Sequence, residues 1–133
     1  MPPEAAEVRQ WLRKAVNDQR AARAALDQDP PITDVAAFHC QQAAEKLLKA
    51  YLVWRGQAFE KIHDLRTLVN LCAACDPEFI PLRDRVGPLT AYAVRFRYPG
   101  PTDPTAEQAE SALGIVAEAL RFVRAKIPAD MHP

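Results

Sequence analysis

Three residues near the middle of the chain have the types and spacing to bind phosphate. Gln42, Lys46 and Lys49 recur at three- and four-residue intervals, so on a helix they lie within about 60° of one another and span about 10 Å. Two ammonium groups and an amide at this spacing could hold a di- or triphosphate or an RNA backbone. The alternative is an ordinary solvated helix face on which Glu45 and Gln41 are the local partners.

A second candidate lies at the end of a later predicted helix. Arg97 borders the apolar stripe of that helix, whereas Arg95 points about 200° away from it. A partly buried guanidinium needs a carboxylate or a phosphate. Arg97 therefore either forms an ion pair, with Glu45 or Asp103, or binds phosphate or contributes to an interface. Tyr98 follows it directly, where an aromatic side chain ordinarily packs on its neighbours, and we include it among the phosphate-binding candidates.

Two histidines are further candidates. His63 and Asp64 open a predicted helix, where His63 could serve as a cap and Asp64 would complement the helix dipole. His63 could instead bind phosphate or act as a base, provided that a reacting group lies within hydrogen-bond reach. His39 lies beside the lysines and is a candidate for a dimer interface.

The cysteines do not indicate a metal or redox centre. Cys72 and Cys75 form one CxxC pair at the end of a predicted helix, whereas a reactive pair needs a helix N-terminus to lower its thiol pKa. Zinc needs four ligands, and the sequence holds no second pair. We predict no metal site and two small apolar side chains that pack.

Composition predicts a soluble globular domain without a general attraction for nucleic acid. Of the 133 residues, 49% are hydrophobic and 26% are charged, and 17 basic side chains balance 17 acidic ones. Any phosphate binding must therefore come from a local cluster. Three cysteines, no apparent secretory signal and no apolar run of membrane-spanning length favour a cytoplasmic location away from the membrane.

Helical periodicity recurs five times, and strand patterns are almost absent. The sequence predicts an all-α, antiparallel up-and-down bundle of four to five helices in a single domain over residues 1–133, ordered over 3–128, with a short frayed C-terminal tail. The predicted helices run over Pro3–Leu26, from Thr33 or Asp34 to Gly56, from His63 or Asp64 to Asp76, over Leu82–Arg97 with a kink or delayed start at Gly87-Pro88, and from the Thr105 cap to Ile127.

The second predicted helix is apolar on both sides, which is typical of a central helix or a subunit interface. One half of its surface is almost entirely apolar. The other half carries a polar stripe, defined here as His39, Gln41, Gln42, Glu45, Lys46 and Lys49. Phe38, Leu52 and Val53 lie on that same polar side. Because three apolar side chains would be costly to expose together, we predict that they and His39 form the interface of a homodimer.

Three segments together resemble the HEPN domain. They are FHCQQAAEKLLKAYLVWRG (Phe38–Gly56), KIHDLRTLV (Lys61–Val69) and LTAYAVRFRYPG (Leu89–Gly100). Their order and spacing are similar to those of small bacterial and archaeal HEPN proteins encoded beside minimal nucleotidyltransferases. The resemblance implies a helical bundle that often dimerises, and a two-gene toxin–antitoxin arrangement. It also implies a nucleotidyltransferase partner and a ligand such as ATP, GTP or RNA, with no required cofactor.

The sequence departs from the nuclease branch of that family. Nuclease members carry an Arg followed four to six residues later by His on one helix, but Arg95 and Arg97 are followed by no such His. Arg55 and His63 are separated by a predicted loop. The catalytic residues therefore stay unassigned, and three functions remain: a nucleotide- or RNA-binding partner, a ribonuclease toxin with a degenerate site, or a helical adaptor that acts only in protein–protein contact.

Overall fold

The structure is a computed structural model that describes residues 3–95 and 103–133. Over those residues it is helical and contains no strand, which confirms the predicted all-α bundle. The helices are α1 (Pro3–Leu26), α2 (Thr33–Trp54), α3 (Leu65–Cys75), α4 (Leu82–Val86), α5 (Tyr92–Arg95) and α6 (Ala106–Lys126), with 3-10 turns at Pro77–Phe79, Gly87–Ala91 and Ala129–Met131. None of these helices is long and apolar enough to cross a membrane.

Helix α2 lies at the centre and packs against α1, α3, α5 and α6. Its apolar half is buried apart from Trp54 at the C-terminal end, which is half-buried, as the apolar spacing predicts. Helices α1 and α2 run antiparallel, because Trp11 meets Lys49 while Asp18 meets His39. Since α2 is covered on several sides, its polar stripe is also drawn into the interior.

The ends of the helices have local causes. Helix α2 ends in a Schellman motif, where Gly56 adopts a φ of 68° and Gln57 N–H donates to the Leu52 carbonyl at 2.9 Å. The Asp64 carboxylate caps α3 by accepting from the Thr67 N–H at 3.0 Å, so Asp64 is the cap that His63 was considered for. Helix α2 begins at Thr33, one of its two predicted starts, and its cap position is Ile32, which makes no side-chain cap bond.

The predicted helix over Leu82–Arg97 is broken where its sequence contains Gly87-Pro88. A 3-10 turn over Gly87–Ala91 separates α4 from α5, since Pro88 has no N–H to continue an α-helical ladder. Gly87 is also buried against Arg66, whose side-chain atoms would lie 2.7 Å from an added Cβ. The predicted end at Arg97 lies outside the described residues.

The C-terminal segment is packed, and the predicted frayed tail is wrong. Ala129–Met131 forms a 3-10 turn, and Met131 packs against the core. The His132 ring Nε2 lies 3.1 Å from the Arg124 carbonyl and 3.0 Å from the Ile127 carbonyl. These carbonyls belong to the end of α6, where backbone acceptors lack helical partners, so a histidine there satisfies them.

Candidate functional site

Two buried carboxylates organise the polar side of α2. Asp18 comes from the middle of α1 and Glu45 from the middle of α2, and each side chain is about 10% exposed. A buried carboxylate is stable only when it accepts several hydrogen bonds or faces a cation. Together with their partners they form a polar network, defined here as Asp18, His39, Gln41, Gln42, Glu45, Lys46, Lys49 and His63.

The Asp18 carboxylate pairs with two members of the polar stripe, His39 and Lys46. Lys46 Nζ donates to Asp18 Oδ2 at 2.5 Å, and His39 Nδ1 lies 2.8 Å from Asp18 Oδ1. His39 and Lys46 are seven residues apart, so they lie on one face of α2, directly opposite α1. Their side chains are 29% and 23% exposed, and the cluster therefore reaches the surface.

The Glu45 carboxylate accepts from three neighbours. Gln41 Nε2 donates to its Oε1 at 3.1 Å, and Lys49 Nζ donates to its Oε2 at 3.0 Å. His63 Nδ1 lies 3.2 Å from the same Oε2, while 72% of the His63 side chain is exposed. Gln42 donates to Gln41 at 2.6 Å and extends the chain of hydrogen bonds outward.

Lys49 is enclosed by aromatic rings. Its ammonium nitrogen lies 5.7 Å from the Trp11 ring centre and 5.4 Å from that of Phe59, and its side chain is 7% exposed. The two rings meet edge to face at 5.9 Å. Cation–π attraction and the Glu45 pair together compensate the ammonium for its lost hydration. Lys49 is thus a structural cation with no open side for a phosphate.

These contacts show how the members of the predicted phosphate clamp are engaged, and its binding of phosphate stays a prediction. Lys46 and Lys49 lie on one side of α2 as expected, but each is neutralised by a different carboxylate, and Gln42 is engaged with Gln41. The alternative of a solvated face is wrong, because Glu45 and Lys49 are buried. That alternative also named Glu45 and Gln41 as local partners of these residues, and this part of it is confirmed.

The predicted interface residues separate into two groups. Leu52 is completely buried inside the chain, so it cannot form a subunit surface, and that assignment is wrong. It belongs to the core because α2 is covered on more sides than a helical wheel shows. Phe38, His39 and Val53 are half-buried and remain at the surface.

Several predicted residues lie outside the described part of the chain. Arg97 and Tyr98 are among them, and so is the expected ion pair of Arg97 with Glu45 or Asp103. In the part that is described, no three His, Cys, Asp or Glu side chains are grouped to hold a metal ion. Cys72 is buried, its thiol lies 3.8 Å from the Leu48 carbonyl, and Cys75 is half-buried.

Sequence reasoning missed Asp18, the residue that links α1 to the polar stripe. A signal was present, because Asp18 falls on the apolar face of α1 between Ala15 and Ala22, where a charged side chain is unusual. Such a residue needs a partner on the neighbouring helix. Phe59 carried no comparable signal, since it comes from an irregular loop.

A cavity of about 450 Å³ opens beside the network, on the far side of the two aromatic rings. Its lining residues are Glu4, Glu7, Trp11, Val53, Gly56, Gln57, Ala58, Phe59 and Glu60. The charged side chains of this lining are three carboxylates, so the cavity repels phosphate. The edge of the network with His39 and Lys46 contributes no residue to this acidic lining.

Comparison with known proteins places these observations in a family. The family model of the HEPN domain matches residues 8–126. The fold is similar to that of TT1696 from Thermus thermophilus, with 31% identity and a TM-score of 0.76 over 92% of this chain and 99% of that one. It is also similar to ST0689, an archaeal HEPN homologue, with 23% identity and a TM-score of 0.74 over 91% of this chain and 98% of that one. No curated protein matches the chain.

Proposed function

Because this chain belongs to the HEPN domain family, we propose that it is the binding partner of a minimal nucleotidyltransferase and recognises a nucleotide or RNA, as one half of a two-gene toxin–antitoxin system. The observation that supports the proposal is the group formed by Asp18, Lys46 and His39, which we call the Asp18 cluster. A carboxylate held in the interior fixes Lys46 and His39 side by side at the surface of the central helix. Lys46 and His39 are thus hydrogen-bond donors whose positions are fixed before any ligand binds.

The donor inventory of this cluster suits a phosphate group. Lys46 has three N–H donors and Asp18 takes one of them, while Gln42 adds an amide beside it. The attraction is moderated because the Asp18–Lys46 pair is neutral as a whole. We therefore expect weak binding of ATP, GTP or a short RNA by the chain alone, and tighter binding when a nucleotidyltransferase supplies further cations.

Calorimetry with ATP, GTP and a short RNA tests this proposal. We expect Lys46→Ala to weaken binding at least about fivefold, while Lys14→Ala, which removes an exposed lysine of α1, leaves it unchanged. Arg97→Ala tests in the same titration the role predicted for Arg97. Equal affinities for the parent and for Lys46→Ala would exclude the Asp18 cluster as the nucleotide site.

A second candidate is the non-catalytic adaptor, which binds only protein. The closed pairing of Lys46 with Asp18 and of Lys49 with Glu45 favours it, since paired ammonium groups attract anions less. Co-purification with the product of the adjacent open reading frame distinguishes the two. If the chain is an adaptor, Lys46→Ala should still bind the partner protein. Calorimetry of the parent with ATP, GTP or RNA should then show no heat of binding.

We also propose that the chain is a homodimer. With Leu52 in the core, the surface that supports this is formed by half-buried Phe38, His39 and Val53, so it is smaller than the helical wheel predicts. Sedimentation velocity at micromolar concentration should give the mass of two chains, 14.8 kDa each. A single species with the mass of one chain would count against it.

A further inference from the structure

A groove runs between α1 and α6, on the opposite side of α1 from Asp18. The two helices are antiparallel, because Arg23 near the end of α1 pairs with Glu110 near the start of α6, while Arg9 donates to the Asp130 carbonyl beyond the end of α6. One end of the groove is a cavity of about 450 Å³, lined by Gln19, Arg20, Arg23, Glu110, Leu113, Gly114 and Ala117.

The edges of this groove carry exposed arginines. Arg13 precedes Arg20 by seven residues, or about 10 Å of helix, on the same face of α1. The antiparallel register places Arg13 across from the α6 turn that contains Arg121 and Arg124, and all four side chains are exposed. None of the four pairs with a carboxylate among the described residues. Their charge is available, unlike that of Lys46 and Lys49.

The acid within the cavity is already neutralised. Among the described residues, Glu110 is the only carboxylate in the lining. It accepts from both terminal nitrogens of Arg23, at 2.6 and 3.0 Å, and this hydrogen bonding lowers its pKa. A neutral Arg23–Glu110 pair therefore lies at one end of the groove, and Arg13, Arg20, Arg121 and Arg124 form no ion pair with a described carboxylate. We call these four side chains and the cavity between the helices the arginine groove.

Gly114 lies in the arginine groove, at a position where packing within the fold does not require a glycine. It occupies the middle of α6, where glycine is less favourable than alanine. A Cβ added there would meet nothing within 4 Å. Nothing in the described structure requires this gap, but a ligand lying along the groove could approach the α6 backbone there.

The composition of the arginine groove favours phosphate over a protein partner. Its largest apolar lining residue, Leu113, is buried, so the groove offers no anchor of the kind that protein interfaces use. Its edges are arginine, whose planar fork suits phosphate oxygens. We infer that the arginine groove binds the phosphate backbone of a nucleic-acid strand. It shares no residue with the Asp18 cluster, but it rests on the function proposed above, because it adds a second and separate site for the RNA recognised there.

Fluorescence anisotropy with a labelled oligouridine of about 12 nucleotides tests this inference on the full chain. The double variant Arg20→Ala/Arg121→Ala should weaken binding about tenfold. It should also reduce the slope of log K against log salt by about 1.4, since each lost phosphate contact on a single strand contributes about 0.7. The charge-matched control Lys14→Ala/Arg83→Ala removes exposed cations elsewhere and should leave both values near those of the parent.

Gly114→Ala provides a test that loss of folding cannot imitate. It should raise the Tm by about 2–4 °C, because alanine is the better helix former, and yet weaken oligouridine binding. A higher Tm with unchanged affinity would contradict close approach of the strand to α6 and overturn the groove as its site.

Four outcomes would contradict this inference. Equal weakening by the control pair would overturn the inference, as would displacement of the oligouridine by polyglutamate as readily as by inorganic polyphosphate. Loss of binding in Lys46→Ala, with the arginine variants unaffected, would also overturn it and would support the Asp18 cluster instead. No binding by the parent up to about 100 µM would exclude the groove as a nucleic-acid site.

Discussion

At the scale of single residues, Lys49 is the charged residue of the polar network whose side chain is most enclosed. Its ammonium group is held by one carboxylate and two aromatic rings, and little of it reaches water. Removing Glu45 would leave a cation in a place where water cannot solvate it. Removing both charges would leave a niche that an unbranched apolar side chain can fill. The stability of this region therefore depends on Glu45 and Lys49 together.

We predict that Glu45→Gln lowers the free energy of unfolding by about 3 kcal/mol, and that adding Lys49→Met restores at least half of that loss. The amide introduced at this position has one acceptor oxygen, which can accept from Gln41 or from His63, so the substitution removes the charge and keeps one of these two hydrogen bonds. Urea unfolding measures both variants against the parent. Glu118→Gln is the matched control, since Glu118 pairs with Arg85 at the surface and should cost less than about 1 kcal/mol. A double variant less stable than the single one would contradict the prediction.

At the scale of elements, the starts of α3 and α6 are set by side chains close in sequence. Helix α6 begins with a capping box, in which Thr105 accepts from the Gln108 N–H at 3.1 Å and Gln108 accepts from the Thr105 N–H at 2.9 Å. The other end of α6 is tied to the end of α3, because Lys126 forms ion pairs with Asp76 and Glu78. Helix α6 is thus fixed at both ends by polar contacts and along its length by the core.

Thr105→Ala should lower the free energy of unfolding by about 1 kcal/mol, because it leaves a backbone N–H of the first turn without its acceptor. Thr105→Ser keeps the hydroxyl and should lie within a few tenths of a kcal/mol of the parent. Thermal or urea unfolding followed by circular dichroism measures both. Equal losses in the two variants would show that the hydroxyl has no capping role.

The Asp76–Lys126 pair predicts a defined pH range of stability. The hydrogen bond from Lys126 lowers the pKa of Asp76 below its ordinary 3.8, and the same bond raises the pKa of Lys126 above 10.5. The contribution of Asp76 is therefore present above pH 3.8 and is lost as the pH falls through its lower folded value. That of Lys126 is present below pH 10.5 and is lost as the pH rises through its higher folded value.

Asp76→Asn should accordingly be less stable than the parent between about pH 4 and 10, and the difference should shrink below pH 3.8. Urea unfolding between about pH 2 and 9 measures this. Asp84→Asn removes an exposed carboxylate of α4 and serves as the control. A difference that grows in acid would have the wrong sign for a lowered folded pKa.

At the scale of the whole molecule, one core joins the helices around α2. Cys40 and Cys72 lie in it with no exposed surface, and Cys75 lies at its edge. Burial raises the pKa of the Cys40 thiol to about 12 and also raises that of Cys72. Thiolate is the reactive form, so burial protects both groups sterically and chemically.

We predict that the folded protein reacts rapidly with Ellman's reagent at about pH 8 at Cys75 alone, and at all three thiols in urea. Cys40 and Cys72 should react no faster than the core opens, so their rates report global unfolding. Cys75→Ser should abolish the fast phase. Fast reaction of a second thiol in the folded state would show that the core opens locally around α2.

The candidate site could be predicted only in part from sequence. The helical repeat correctly placed Lys46 and Lys49 on one side of α2, because that relation spans a single turn. Their partners could not be found in the same way. Asp18 is 28 residues from Lys46, and Phe59 reaches Lys49 from a loop whose path no repeat describes. The sequence therefore did not reveal that the two lysines are paired, since neutralisation by a distant carboxylate has no local signature.

The amino-acid sequence by itself determined the helical class, the central place of α2, the capping box at Thr105 and the break at Gly87-Pro88. Each depends on side chains within a few residues of one another, where periodicity, caps and proline act. Only the tertiary structure decided that Leu52 lies in the core, that the lysines of α2 are paired and that the arginines of α1 and α6 share one groove. Those outcomes depend on which helix faces lie against each other, and packing chooses these faces among segments far apart in the chain.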